Sequence, residues 1–311
     1  MEPQNKCEIK PLPEELQKVA INELGEVPER IPEDLFAFKQ WIKQQPHLKA
    51  RMNDQFLVQF LRGCKYSLEK AKKKIDIFYS MKTKYPEYFN MTDVDDPLFR
   101  KLHNTGFFIP LPSPLNGHGP RIIMSRFKAD PTVFAPQHFF QYCDGSVEMM
   151  LMNDPYACIY GVILVIDFAE ATASHLLPFT INMAKQNAIY YEKAFPVRVK
   201  TFCFINLSKY AQQFLNLLLP HMSEKFRKRF ILCGSEWSKH IPLEYMPTDY
   251  GGKNGCLEEL CREYAKVWDE YRQYFKENAN YGTDEHLRLG GAFKFDADLG
   301  TGGTFRKLNV D

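Results

Sequence analysis

Long apolar runs are what this sequence most lacks. The longest, Ala157–Ile166, stops at Asp167, about half the length of a helix that spans a bilayer. The N-terminal stretch "MEPQNKCEIKPLPEE" has no apolar core of signal-peptide length, so the expectation is a cytoplasmic chain with no membrane span. The eight cysteines show no C-x-x-C and no tight pairing, which excludes a zinc ribbon or a disulfide framework and leaves reduced thiols. Nor do Cys and His cluster at metal-ligand spacing, so no metal is expected.

Enzyme motifs are missing as well. "NGHGPR" has two glycines but not G-x-G-x-x-G, and no G-x-x-x-x-G-K-[ST] occurs, so neither a dinucleotide nor a P-loop phosphate is cradled. "CDGSVE" and "LCGSEW" lack the second glycine of a nucleophile elbow. Asp167 ends an apolar run and reads as the cap of a turn, while His175 and His221 have no second ligand near them and read as packed or surface residues. No catalytic residue and no cofactor follow. The net charge of +2 leaves no basic stripe long enough to read nucleic acid, so any anion site must be a local patch.

What is present is two textures. At 311 residues the chain exceeds the usual size of one domain. Residues 12–90 carry period-3.6 patterns without strand patterns: one helix after Pro13, a second with Leu35, Phe38 and Ile42 on one face, and a third capped by Asp54. A fourth follows Ser67, with Leu68, Ala71, Ile75 and Phe78 inward and Lys70, Lys73 and Lys74 solvated. From about residue 100, apolar runs alternate with helices across a Pro/Gly-rich connector, "PLPSPLNGHGPR", which argues for an α/β sheet. "RIIMSRF", "CIYGVILVIDF", "VKTFCFINL" and "KRFILCG" are the strand candidates, and "LLPFTINMAKQNAIYYEKAF" reads as a long helix with two apolar faces. A polar helix begins at Cys256, before a Gly-rich tail that ends in "FRKLNVD". The boundaries expected are residues 1–95, 96–255 and 256–311.

"LLLPHMSEKFRKRFILCG", residues 217–234, runs a greasy helix end straight into concentrated positive charge. A helix from Ser208 to Leu219 is apolar around more than one face, so a core, a ligand or a membrane must cover it. If Ser223 starts the next turn, Lys225, Lys228 and Arg229 share one side, and Met222, Phe226 and Phe230 share the other. Arg198 and Lys200 project to one side of their strand. Two basic pairs on separate elements are suited to one phosphorylated head group.

Three ordered segments carry a family resemblance. "DQFLVQFLRGCKYSLEKAKKKI", "NAIYYEKAFPVRVKTFCFINLS" and "MPTDYGG" resemble the N-terminal helical signature, the helix-to-strand core and the closing loop of the CRAL-TRIO lipid-binding family. The resemblance is nearest to the branch holding the alpha-tocopherol transfer protein and retinaldehyde-binding protein, and the tail is similar to those of invertebrate members. It implies an all-α N-terminal domain before an α/β lipid-binding domain, a mixed sheet flanked by helices, in which residues 208–219 form a gate over a cavity. It further implies a non-catalytic monomeric carrier of one hydrophobic ligand (a retinoid, carotenoid, tocopherol or other lipid) that meets phosphoinositide-containing membranes transiently. Matching positions give Val162, Leu164, Ile166, Phe179, Met183, Tyr190 and Tyr191, with Phe214, Leu215 and Leu218 of the gate, as ligand-binding. Arg198, Lys200, Lys225 and Arg229 become the phosphoinositide site. Cys64 departs from the family pattern, standing where an arginine is expected. The rival readings are an adaptor of the same fold that binds a protein partner, and a small-molecule oxidoreductase.

Overall fold

The computed structural model describes residues 7–233, 236–293 and 295. The tail "FRKLNVD" and the Gly-Ser of "LCGSEW" lie outside them. The first helices are α1 (Glu14–Leu24), α2 (Ile31–Lys43), α3 (Asp54–Gly63), α4 (Leu68–Lys84), α5 (Pro86–Phe89) and α6 (Pro97–Asn104). On α2, Leu35, Phe38 and Ile42 are buried as the stripe predicts. The cap of α3 is Asn53, whose side chain accepts from Phe56 N at 3.0 Å, one residue before the expected Asp54. Asp54 instead pairs with Lys39. Ser67 precedes α4 without a capping bond from its side chain. A two-residue strand, β1 (Leu48–Lys49), lies in the region expected to have none, and pairs antiparallel with β7 (Gly282–Thr283).

The main sheet has five strands in the order β2 (Phe108–Pro110), β3 (Arg121–Arg126), β4 (Val162–Asp167), β5 (Val199–Ile205) and β6 (Phe230–Leu232). β2 is antiparallel to β3 and the other neighbours are parallel. Parallel neighbours need crossovers. These are α7 (Pro136–Asn153) with α8 (Pro155–Tyr160), then α9 (Ala173–Leu176) with α10 (Ile181–Ile189), then α11 (Lys209–Leu218) with α12 (Glu224–Arg227). The chain closes with α13 (Leu257–Glu270) and α14 (Arg272–Glu277).

Three sequence readings need correction. The first three residues of "CIYGVILVIDF" belong to helix α8, and the strand begins only after Gly161. Gly161 turns the chain at φ +91°, and a Cβ there would run into the carbonyl of Arg198. The long helix after Leu176 starts at Ile181 and ends in a π-helical segment, Tyr190–Ala194. Helix α7 was not foreseen at all, although most of its residues are buried.

Helix α7 hides because two acids interrupt its apolar pattern. Asp144 and Glu148 are buried and both bind Lys82 of α4, at 3.0 and 2.7 Å. Tyr190 donates to Asp144, and Tyr274 of α14 donates to Glu148 at 2.9 Å. A single hydrophobic cluster surrounds this network and runs from Ile31 to Phe275. Helices before and after the sheet are thereby fixed to it.

Burial, reinforced by Glu148 and opposed by Lys82, raises the Asp144 carboxyl to about 7. The folded chain therefore holds this proton more tightly than the unfolded one. The stability gained is fully present below about pH 4 and is lost as the pH rises through about 7. Asp144→Asn does not titrate, so relative to wild type its unfolding free energy should gain on the order of 3 kcal/mol between about pH 4 and about pH 7.5. Urea denaturation at both pH values measures this. A relative loss for the variant would mean that the carboxylate is ionised and net stabilising.

Candidate functional site

The two faces of β4 have different fates. Ile163 and Val165 pack with Ile122, Met124 and Cys203. Val162, Leu164 and Ile166 line an apolar cavity of about 220 Å³ on the other side. Phe179, Tyr191, Phe214 and Leu218 line it too, as expected positions.

Three expected residues do not line it. Helix α10 and the π segment face the cavity through Ala184, Asn187, Ala188 and Tyr191, a stripe that leaves Met183 to one side. Tyr190 turns the other way, stacked on Phe89 at 4.1 Å and donating to Asp144. Leu215 lies behind the gate, packed with Phe168, Leu176, Phe204 and Ala211. Other wall residues were missed. Phe140, Cys143 and Val147 belong to the unforeseen α7, and Val199, Phe202 and Phe204 lie on β5. The signal for Met222, Phe226 and Phe230 was their shared helical face, and all three line the cavity.

Helix α11 closes one side. Ser208 caps it, accepting from Ala211 N at 3.2 Å, and the helix continues past Leu218 into a 3-10 turn, Leu219–His221. Phe214 and Leu218 point inward. On the outside Leu217 is 57% exposed and Tyr210 72%, and Leu177 at the end of the contacting α9 is 81% exposed.

A second cavity, of about 560 Å³, is basic. Arg198, Lys225 and Arg229 line it, as expected, together with Lys65, Lys70, Lys73 and Lys74 from the N-terminal helices. Glu192 is the acidic side chain among its described lining residues. Lys200 stands outside the wall. The β4–β5 register slips so that Val162 pairs with Val199 but Ile163 with Thr201, leaving Lys200 exposed beside the site. Partial burial, then the charges of Arg198, Lys65 and Arg229, lowers its pKa. Lys228 also departs from its expected company, pairing with Glu224 at 2.8 Å in solvent.

Lys74, expected in solvent, is largely buried and donates to the carbonyl of Phe195 at 3.1 Å. Burial lowers its pKa, and Lys225 and Arg229 act in the same direction. Such crowding of like charge favours an anion among them. Lys65 reaches the site through a tight turn with φ of 53° at Lys65 and 54° at Tyr66, in the left-handed region. Tyr66 donates to Glu26, which also forms a buried pair with Arg62 at 2.7 Å. A Cβ at Gly63 would meet the Pro196 carbonyl, so this turn packs directly on "PVRVK". Cys64 lines the cavity, its thiol pKa raised by burial.

The two cavities share a wall, because Tyr191, Phe195 and Val197 line both. Helix α12 extends that wall: Phe226 faces the apolar side, Lys225 the basic side. Its cap residue Ser223 donates to Glu192 of the π segment at 2.9 Å.

The other polar candidates are used structurally. Asp167 accepts from Ala169 N and Asn206 Nδ2, each at 2.9 Å, and from Tyr250 of the closing loop. His175 is buried, 2.8 Å from the carbonyl of Ala129, and His221 is exposed. Among the described residues, no group of three or more His, Cys, Asp or Glu is placed to hold a metal, and no helix is long and apolar enough to cross a membrane.

Comparison with known proteins adds three findings. Residues 110–252 match the family model described as CRAL/TRIO domain, and residues 27–99 the one described as Pinta-like, UBA domain. The chain is similar to an alpha-tocopherol transfer protein-like protein of Homo sapiens, 25% identical over 259 residues, covering 79% of this chain and 72% of that one. It is similar to clavesin-2 of Homo sapiens, 26% identical over 249 residues, covering 77% and 74%. The solved structure of Sfh5 aligns with a TM-score of 0.46 at 13% identity, covering 86% of this chain and 99% of that one.

Proposed function

This chain carries a CRAL/TRIO domain over residues 110–252, and on that premise we propose that it is a non-catalytic carrier of one hydrophobic ligand, exchanged at phosphoinositide-containing membranes. The observation that carries the reading is the shared wall, with an apolar cavity on one side and eight lysines and arginines among the described lining residues on the other. A relative named for alpha-tocopherol transfer supports the transfer half.

The ligand is held chiefly by desolvation. Removing apolar surface from water contributes about 25 cal/mol per Å², and the cavity wall offers little else. Exchange needs the wall to open. Helix α11 presents Phe214 and Leu218 to the cavity, with Leu217 and Tyr210 outside, so the same element faces ligand when shut and acyl chains when displaced. A multiply phosphorylated head group binding Lys225 and Arg229 would act on α12, whose Phe226 lines the ligand cavity. Charge-assisted hydrogen bonds make that contact strong, and Lys70, Lys73 and Lys74 supply charge that the arginine replaced by Cys64 would have provided. The carrier then works in the cytoplasm and visits membranes.

Leu218→Asp places an unpaired charge at the cavity wall, which costs several kcal/mol when buried. The folded variant should bind an apolar fluorescent ligand at least about tenfold more weakly. Leu217→Asp should keep ligand in solution yet lose vesicle binding. Unfolding of the first variant, with normal vesicle binding by the second, would make α11 a core helix rather than a gate.

Replacing Lys225 and Arg229 with alanine should abolish preference for phosphoinositide over phosphatidylserine vesicles while ligand binding in solution persists. Non-specific attraction predicts instead a graded loss, equal for both lipids and screened over about 8 Å at physiological salt. Co-sedimentation at matched surface charge separates the outcomes, and equal binding of wild type to both lipids rules out a specific site.

A further inference from the structure

On the face of the sheet turned away from the apolar cavity, two thiols meet. Cys203 of β5 and Cys233, the first residue past β6, place their Sγ atoms 3.0 Å apart. Both are buried, in the cluster that holds Ile122, Ile163 and Val165. Cys233 Sγ also lies 3.8 Å from the carbonyl oxygen of Ile231, so its side chain leans back along the strand towards the residue that pairs with Cys203. Of the eight free cysteines, these are the two whose sulfurs touch among the described residues.

The two cysteines stand 30 positions apart, and the whole crossover from β5 to β6, with α11 and α12, lies between them. β6 is three residues long and sits at the edge of the sheet. A short ladder holds it, including Phe202 N to the Arg229 carbonyl and Cys233 N to the Phe204 carbonyl, each at 2.8 Å. Phe230 of this strand lines the apolar cavity, and Arg229 just before it lines the basic one. We propose that Cys203 and Cys233 are a redox site, joined by a peroxide in a reversible disulfide that staples the root of the α11–α12 crossover and slows ligand exchange. The effect on exchange rests on the carrier reading above; the bond itself does not.

A disulfide needs its sulfurs about 2 Å apart and its Cα atoms within about 7 Å. Cys233 stands two residues beyond the partner of Cys203, so closure draws the end of β6 back along β5. Cross-linking the two ends removes states in which they separate. Cys203 lies inside the sheet, its thiol pKa raised by burial and then by the contact with Cys233, so the sulfur that meets the oxidant is Cys233 at the edge. Its thiolate attacks hydrogen peroxide: a sulfur–oxygen bond forms, the O–O bond breaks, and the departing hydroxide takes the thiol proton as water, leaving a sulfenic acid. The Cys203 sulfur then attacks that sulfur, the S–O bond breaks, and hydroxide leaves with the second thiol proton as water. Two thiols are oxidised to one disulfide, and one peroxide is reduced to two waters.

The full chain is treated with hydrogen peroxide, its remaining thiols are alkylated, and its unreduced peptides are mapped by mass spectrometry. A peptide pair joining Cys203 to Cys233, about 2 Da lighter than the two thiol peptides together and lost on adding dithiothreitol, is expected. In the same oxidised sample, transfer of a bound fluorescent apolar ligand to phosphatidylinositol bisphosphate vesicles should slow at least about fivefold and recover with dithiothreitol. Cys233→Ser, treated identically, should keep its untreated rate. Sulfinic or sulfonic acid alone at these sulfurs, or no reaction, overturns the site, and the wild-type peptide map decides this whether or not the variant folds. A bond that forms with transfer unchanged overturns the staple, as does equal slowing in Cys233→Ser. A chain that forms the bond yet never retains ligand keeps the redox site and overturns the carrier reading instead.

Discussion

A wall one side chain thick, made by Tyr191, Phe195 and Val197, is the constraint on which the rest of the structure depends. An apolar cavity and a concentration of positive charge are incompatible neighbours, since either would flood or discharge the other. The two sides are divided within one short segment: Val197 lines both cavities, and the next residue, Arg198, lines the basic one. Helix α12 repeats the device with helical spacing. Its sequence, greasy and basic by turns, is what a two-sided partition requires.

That partition needs support, because two of its elements are short. The π segment is held from behind by Tyr190, whose ring stacks on Phe89 and whose hydroxyl binds Asp144. Lys74 bonds the carbonyl of Phe195, and the Gly63 turn packs against Pro196. All three supports originate outside the sheet, in the N-terminal helices or α7. A buried ion network commonly adds little net stability, yet removing one member is costly. Lys82, Asp144 and Glu148 therefore act chiefly to fix how the helices sit behind the wall.

Local signals were legible where chemistry and contact were both local. The stripe of α2, the alternation of β4, the Ser208 cap of α11 and the two faces of α12 follow from period and spacing alone. What could not be read depended on partners far away in the chain. Helix α7 was invisible because Asp144 and Glu148 look like surface acids until Lys82 is brought to them. Lys74 looked like a solvated lysine until Phe195 arrived, more than a hundred residues later. Lys200 was misplaced by a slipped register, and Tyr190 by a π-helical start, each a one-residue irregularity that reverses the facing of a side chain. The basic cavity was thus half legible: its sheet-side residues came from sequence, while its α4 lysines needed the fold.

The central claim is that the two cavities work as one device, holding an apolar ligand and yielding it where anionic head groups are recognised. The most direct measurement is the rate at which a bound fluorescent apolar ligand passes from the protein to acceptor vesicles carrying either phosphatidylinositol bisphosphate or phosphatidylserine at matched surface charge. Stable retention without vesicles, and faster transfer to the bisphosphate vesicles, is the predicted result. Equal rates to both vesicles, or a ligand never retained at all, would contradict the account.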